Sequence, residues 1–229
     1  DFCWSGAFDG QADVLRIAED APIESVATLA GTGIDGFVLC SDDEYLVLGD
    51  DQSDTVAAIA VAGSDPDALI IGVTFEGSLP TAGGLSENSP NSAGYVAMGR
   101  RSKAGRISFV NGCVLDAPDV ADTVTDVAID NGDVVYVAGT TRGNLSFGGQ
   151  TAVGRGERDA FVATIKLVDL ENGSCEGSIT SLASSADDGE PRLGVVETAV
   201  FASLWAGGDL YVGDNLVPDS AGRSVVVNL

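Results

Sequence analysis

Few kinds of residue in this sequence can do chemistry, and most of those are acidic. There are 35 Asp and Glu against 11 Lys and Arg, and no histidine. Without histidine there is no Ser-His-Asp or Cys-His nucleophile, no HExxH zinc site and no histidine-held haem. A metal would have to be held by carboxylates, carbonyls or thiolates, which points to Ca2+ before Zn2+. The carboxylates gather in short runs: Asp42-Asp43-Glu44, Asp50-Asp51, Asp130-Asn131-Gly132-Asp133 and Asp187-Asp188-Gly189-Glu190. Asp42, Asp43, Asp130 and Asp133 are the candidate Ca2+ ligands. The competing reading is that Asp and Asn simply build tight turns, where their side chains bond their own backbone. No segment has EF-hand spacing; Asp169-Leu170-Glu171-Asn172-Gly173 comes nearest and fails it. Paired carboxylates could also serve glycoside hydrolysis. With this many acids some pairs arise by chance, so the expectation is a protein that is not an enzyme.

The other reactive groups are sparse. Arg100, Arg101 and Lys103, with Arg106, form a basic island that could receive an acidic partner or a neighbouring subunit; the alternative is a solvated hairpin turning at Gly105. Among the aromatics Phe75, Trp4, Tyr95 and Trp205, the expectation places Trp4 and Tyr95 in strand cores. Trp205, in the turn-like Leu204-Trp205-Ala206-Gly207-Gly208, is the better anchor for a protein or carbohydrate. Cys3, Cys40, Cys113 and Cys175 include no CxxC pair, so zinc-ribbon and thioredoxin-like sites are excluded. The even count fits two disulfides and an oxidising compartment. Three pairings satisfy four cysteines; Cys3–Cys40 and Cys113–Cys175 are the expected ones, because each joins adjacent repeats.

A net charge of −24 opposes nucleic-acid binding, which needs a basic face to neutralise phosphate, and docking on anionic lipid. It also predicts self-repulsion in the compact state. The melting temperature should therefore rise with added salt. It should rise further with millimolar Ca2+ at matched ionic strength if a turn binds the ion in the folded state alone. Matched NaCl, MgCl2 and CaCl2 titrations separate the two; equal shifts would leave the acidic runs as plain turns. No run approaches the roughly 20 apolar residues of a membrane helix. The chain has no initiator Met and reads as a processed or truncated product.

The elements that would position these groups are strands. Runs rich in Val, Ile, Ala and Leu recur between Gly, Asp, Asn and Ser, and no window holds a 3.6-residue apolar period. The Ala-rich stretches 54–63 and 197–206 read as strands too. Strands are expected at Ala68–Thr74, Gly94–Arg100 and Val196–Ala202, among others. The pattern repeats: Asp54-Thr55-Val56 matches Asp122-Thr123-Val124 at an offset of 68, and Tyr95-Val96-Ala97 matches Phe161-Val162-Ala163 at 66. The two-residue difference falls in a hairpin turn, where insertions are tolerated. Units at roughly 1–33, 34–53, 54–121, 122–190 and 191–229 follow. Val134-Val135-Tyr136-Val137-Ala138 is apolar without alternation, which means burial on both faces. Repetition with two-sided burial predicts an all-β propeller or propeller-like array of four to five antiparallel four-stranded blades, incomplete at both ends, with little or no helix.

The run from Asp126 to Thr141 (DVAIDNGDVVYVAGTT), the loop Asn144-Leu145-Ser146-Phe147-Gly148-Gly149 and Asp159-Ala160-Phe161-Val162-Ala163-Thr164-Ile165-Lys166 together resemble the bacterial SBBP-type β-propeller repeat. The match is strong over about 120–170, fair over 54–110 and weak elsewhere. The resemblance implies a secreted or cell-surface bacterial protein and carries no catalytic motif. The expected function is thus a non-catalytic extracellular scaffold or binding module, engaging protein or glycan at the cell surface through loop faces. No cofactor is expected beyond Ca2+. The alternatives are a structural subunit of a self-assembling cell-surface array and a carboxylate-based polysaccharide-active enzyme. No nucleic acid and no membrane insertion are expected.

Overall fold

The computed structural model describes residues 3–16, 24–41, 44–49, 52–63, 65–80, 86–102, 106–115 and 120–229. The chain runs β1 (Cys3–Arg16), β2 (Glu24–Cys40), β3 (Tyr45–Leu48), β4 (Thr55–Ala62), β5 (Asp65–Pro80), β6 (Ser86–Ser102) and β7 (Arg106–Leu115). It continues with β8 (Asp122–Ile129), β9 (Val134–Thr141), β10 (Leu145–Phe147), β11 (Gln150–Ala152), β12 (Asp159–Lys166), α1 (Leu167–Glu171) and β13 (Gly177–Ala183). Last come β14 (Arg192–Val196), β15 (Ala199–Ala206), β16 (Leu210–Val212), β17 (Asn215–Val217) and β18 (Arg223–Asn228). The protein is all-β; α1 is one turn and a half. Both Ala-rich stretches are strands, as their β-branched content required.

The first sheet has the order β1-β2-β3-β7-β6-β5-β4. Its two parts, β1–β3 and the meander β4–β7, are joined among the described residues by parallel bridges from Tyr45 to Arg106 and from Ile34 to Ser53, just before β4. The second sheet, β17-β16-β13-β12-β9-β8, contains a second four-stranded meander, β8-β9-β12-β13, with the hairpin β10-β11 in its central connection. The third is β14-β15-β18, and the hairpin β16-β17 occupies the corresponding connection.

Alternation along each central strand divides the core into three layers. In β5, Ala68 and Ile70 face one way, while Leu69, Ile71, Val73 and Phe75 face the other, toward Val38, Cys40 and Leu48 of β2 and β3. In β9, Val135 and Val137 join the layer against β5–β7, and Ala138 joins the layer against β15. The continuous apolar run of β9 is therefore buried on both faces, as expected. Each fully buried aliphatic or aromatic side chain contributes roughly 1.5–3 kcal/mol. Close approach fixes one glycine of the repeat: a Cβ at Gly139 would lie 2.0 Å from the carbonyl oxygen of Thr123 and 2.5 Å from the Phe161 ring.

Four expectations are corrected. The described sheets do not close into a ring of four-stranded blades: the N-terminal part and the last sheet have three strands each. Val196–Ala202 is not one strand, because β14 and β15 meet at a turn in which Glu197 takes φ 58°. Strands β5 and β6 extend well past Ala68–Thr74 and Gly94–Arg100. Finally, Trp4 is not core. It pairs with Leu39 of β2 and is 51% exposed, whereas Tyr95 and Phe75 are buried and meet edge to face.

Candidate functional site

The sequence candidates are separated by the fold. Arg101 turns inward from β6 and donates through Nε to Glu44 at 2.6 Å; both side chains are more than nine-tenths buried. Lys103, Asp42 and Asp43 lie outside the described residues. Asp130 caps the β8–β9 turn: one carboxylate oxygen accepts the backbone N–H groups of Gly132 at 2.8 Å and Val134 at 3.0 Å, and the other accepts the Tyr136 hydroxyl at 3.4 Å. That geometry is an Asx-type turn. Burial first, and then the Asp130 charge, raise the Tyr136 phenol above its ordinary pKa. Among the described residues no group of three Asp, Glu or Cys is placed to hold a metal ion. Trp205 projects from β15 and is half exposed. The disulfides are Cys3–Cys40, between residues paired across β1 and β2, and Cys113–Cys175, from β7 to the segment before β13.

Two sequence candidates do meet. Arg100 and Asp133 line one cleft of about 370 Å³ between the two meanders. Its floor includes Ala68 and Met98, both buried, and its walls carry Asp65, Lys166 and Glu171. Asp133 is held at φ 57° on the rim by the hairpin, a left-handed conformation that Asp tolerates. Lys166 ends β12 with an exposed side chain. Arg100 spans the cleft, donating to Asp65 on β5 and, at 2.8 Å, to Glu171 on α1. The hydrogen bond to Glu171, then the one to Asp65, raise the Arg100 pKa; Arg100 in turn lowers that of Asp65. The cleft therefore offers an apolar floor with cationic and anionic groups on its rim. Sequence reading missed Met98 and Lys166. The only signal for Lys166 was its place at the end of the Asp159–Lys166 run.

A second acidic grouping is fully internal. Asp188 accepts from Ser184 N–H and Oγ–H, both at 2.8 Å, and from Gly207 N–H at 3.0 Å. Burial raises its pKa, and the charge of buried Asp159 adds to the rise. A carboxyl raised in the folded state binds its proton more tightly there than in the unfolded chain, so its contribution to stability falls as pH rises above the ordinary carboxylate range. Asp65 has the opposite sign: its stabilisation is present above about pH 4 and is lost as pH falls through its lowered pKa. Thermal melts from pH 3 to 8 should therefore pass through a maximum on the acid side of neutrality. Asp65→Asn should flatten part of the acid limb, lower the melting temperature above about pH 4 and leave the slope of the neutral limb unchanged. A monotonic rise in melting temperature to pH 8 would contradict the assignment for Asp188.

The fold and the paired cysteines define an all-β protein of stacked antiparallel sheets stapled by two disulfides, which suits an oxidising, extracellular environment. Among the described residues no helix is long and apolar enough to cross a membrane. No family model and no curated protein matches the chain. Among solved structures it is similar to the crystal structure of the major Malassezia sympodialis allergen Mala s 1, at 9% identity and a TM-score of 0.35, over 86% of this chain and 72% of that one. A likeness at that level carries no argument about function.

Proposed function

We propose that this chain is a non-catalytic extracellular binding module, an open propeller-like stack of sheets that engages a protein or glycan ligand through the cleft between its two meanders. The observation that carries this reading is the cleft itself, where an apolar floor at Met98 meets Lys166, Asp133 and the braced Arg100 on the rim. Mixed donors and acceptors around an apolar base are what small-ligand and side-chain pockets use for orientation. The resemblance to SBBP-type repeats supports a secreted bacterial surface protein. Binding to peptide and glycan arrays tests the reading. Wild-type protein should retain a ligand that Lys166→Glu binds about tenfold more weakly, which corresponds to about 1.4 kcal/mol. Equal binding by both, or cleavage of a bound polysaccharide, would overturn it.

One observation favours a second reading, a subunit of a self-assembling surface array whose occupant is another copy of this chain. Both ends of the stack leave apolar side chains outward: Trp4 at one end, and Val196, Trp205 and Val226 at the other, each at least half exposed. Sedimentation showing mass that grows with concentration, and shrinks to monomer in Trp205→Ser, would support it. A monomer at all concentrations would exclude it.

A further inference from the structure

A second cavity, of about 210 Å³, opens where the β10–β11 hairpin meets β13 and the β16–β17 turn, away from the cleft already described. Three separate elements frame it: Thr151 of β11, Thr180 and Ser181 of β13, and the Gly213-Asp214 turn between β16 and β17. Arg155 and exposed Val153 line it as well. The position of Arg155 is set from two sides. Its backbone N–H donates to the buried carboxylate of Asp159 at 2.7 Å, and its guanidinium lies 4.0 Å from the centre of the Tyr211 ring. The fork is thus pre-organised while about one-third exposed. Asp214 is fully exposed and stands 3.7 Å from it, beyond a close ion pair. The floor is apolar, with Ala152 and Ile179 buried beneath it.

We infer that this cavity is a binding subsite for a neutral sugar ring, which gives the binding-module reading, on which this inference rests, a ligand class and a second location. Arg155 supplies only donors and Asp214 only acceptors, whereas each hydroxyl of a vicinal pair both donates and accepts. A guanidinium beside a carboxylate therefore satisfies two neighbouring sugar hydroxyls at once. The apolar floor of Ala152 and Ile179 suits a ring's C–H face. An anion would meet Asp214 and the field of a chain carrying −24. A cation would meet Arg155. A neutral polyhydroxylated ring matches the donor of Arg155 and the acceptor of Asp214 together.

The test is an amide-resolved NMR titration of the whole chain with methyl β-glucoside, β-galactoside and β-mannoside, and with methyl β-glucuronide as the anionic counterpart. At least one neutral glycoside should shift the amides of Thr151, Thr180 and Gly213 with a Kd of roughly 1 mM, the weak affinity expected of a single small ring. Arg155→Ala and Asp214→Asn should each weaken binding about tenfold, and the glucuronide should bind more weakly than its neutral partner. Asp214 is wholly exposed, so its variant reports on binding even if Arg155→Ala disturbs the hairpin. Absence of shifts with all three neutral glycosides, affinity unchanged in Asp214→Asn, or tighter binding of the glucuronide would each overturn the proposal. Lys166→Glu should leave these shifts intact, so a failure here is distinguishable from a failure of the cleft. Loss of the shifts in Lys166→Glu would also overturn it.

Discussion

Arg101→Met is expected to destabilise the protein by about 3–5 kcal/mol, the cost of leaving one member of a buried ion pair without its partner. Arg101 and Glu44 are both more than nine-tenths buried and 2.6 Å apart. The pair ties the two parts of the first sheet together. Glu44 immediately precedes β3, Arg101 lies in β6, and the parts of the first sheet that contain them are bridged nearby from Tyr45 to Arg106. Removing the guanidinium leaves a buried carboxylate without its ion-pair partner. Replacing both partners with apolar residues avoids that. The double variant Arg101→Met, Glu44→Leu should recover most of the loss, since well-packed apolar substitutes for buried pairs are often neutral or better. Urea unfolding of the two single variants and the double variant measures the coupling directly. A loss below about 1 kcal/mol for Arg101→Met, the range of exposed pairs, would show that water reaches this site. Equal losses in single and double variants would show that the side chains act through packing, not charge.

Arg101 also marks the limit of what the sequence could reveal. The basic island Arg100–Arg106 stands out from an acidic chain, and composition alone suggests a surface that awaits a partner. Yet Arg100 bridges Asp65 and Glu171, and Arg101 reaches Glu44, partners 35, 71 and 57 residues away. Separations of that length are set by how sheets stack, and no local pattern encodes them. What was legible is what local physics dictates. The unalternating run Val134–Ala138 required burial on two faces, and β9 has it. The matches between Asp54-Thr55-Val56 and Asp122-Thr123-Val124 placed the first strands of both meanders, and both aspartates are buried. The turn at Glu197 was illegible for a local reason: a glutamate at φ 58° is held there by its neighbours, and its identity gives no sign of it. Trp4 misled because an apolar residue in a strand reads as core only if both faces are covered, and at Trp4 the outer face of β1 is not. The cleft came half into view, through Arg100 and Asp133. Their meeting depended on the β8–β9 turn and the end of β12 reaching the same height as β5 and β6.

Removing the Cys113–Cys175 disulfide should cost about 4 kcal/mol, the value that chain entropy gives for a loop of this length. The bond spans 62 residues, from β7 of the first meander to the segment leading into β13 of the second. It belongs to a group of links that all tie α1 and its exit to the neighbouring meander. Asn111 donates to the Glu171 carbonyl at 2.7 Å, and Arg100 holds the Glu171 side chain. Because these links share one small segment, their losses should not add. Once the disulfide is cut, the segment is freer to move away, and Arg100 and Asn111 gain less by holding it. The variant Cys113→Ala, Cys175→Ser is the suitable one, since Cys113 is buried at 1% exposure and Cys175 is exposed. Denaturant unfolding of that variant should show the loss. Adding Asn111→Ala should cost less in it than in the wild-type protein. The Cys3–Cys40 bond, by contrast, joins residues already paired in the β1–β2 ladder, so it adds a covalent link to a contact that hydrogen bonds already make. Removing it should free the end of that ladder and leave the contact between the two meanders intact. If the cleft is the binding site, breaking Cys113–Cys175 should weaken ligand binding as well as stability, because Lys166 leads directly into α1, the element it anchors, and Glu171 ends it. A variant without Cys113–Cys175 that unfolds at the wild-type denaturant midpoint would show that packing between the meanders holds α1 unaided.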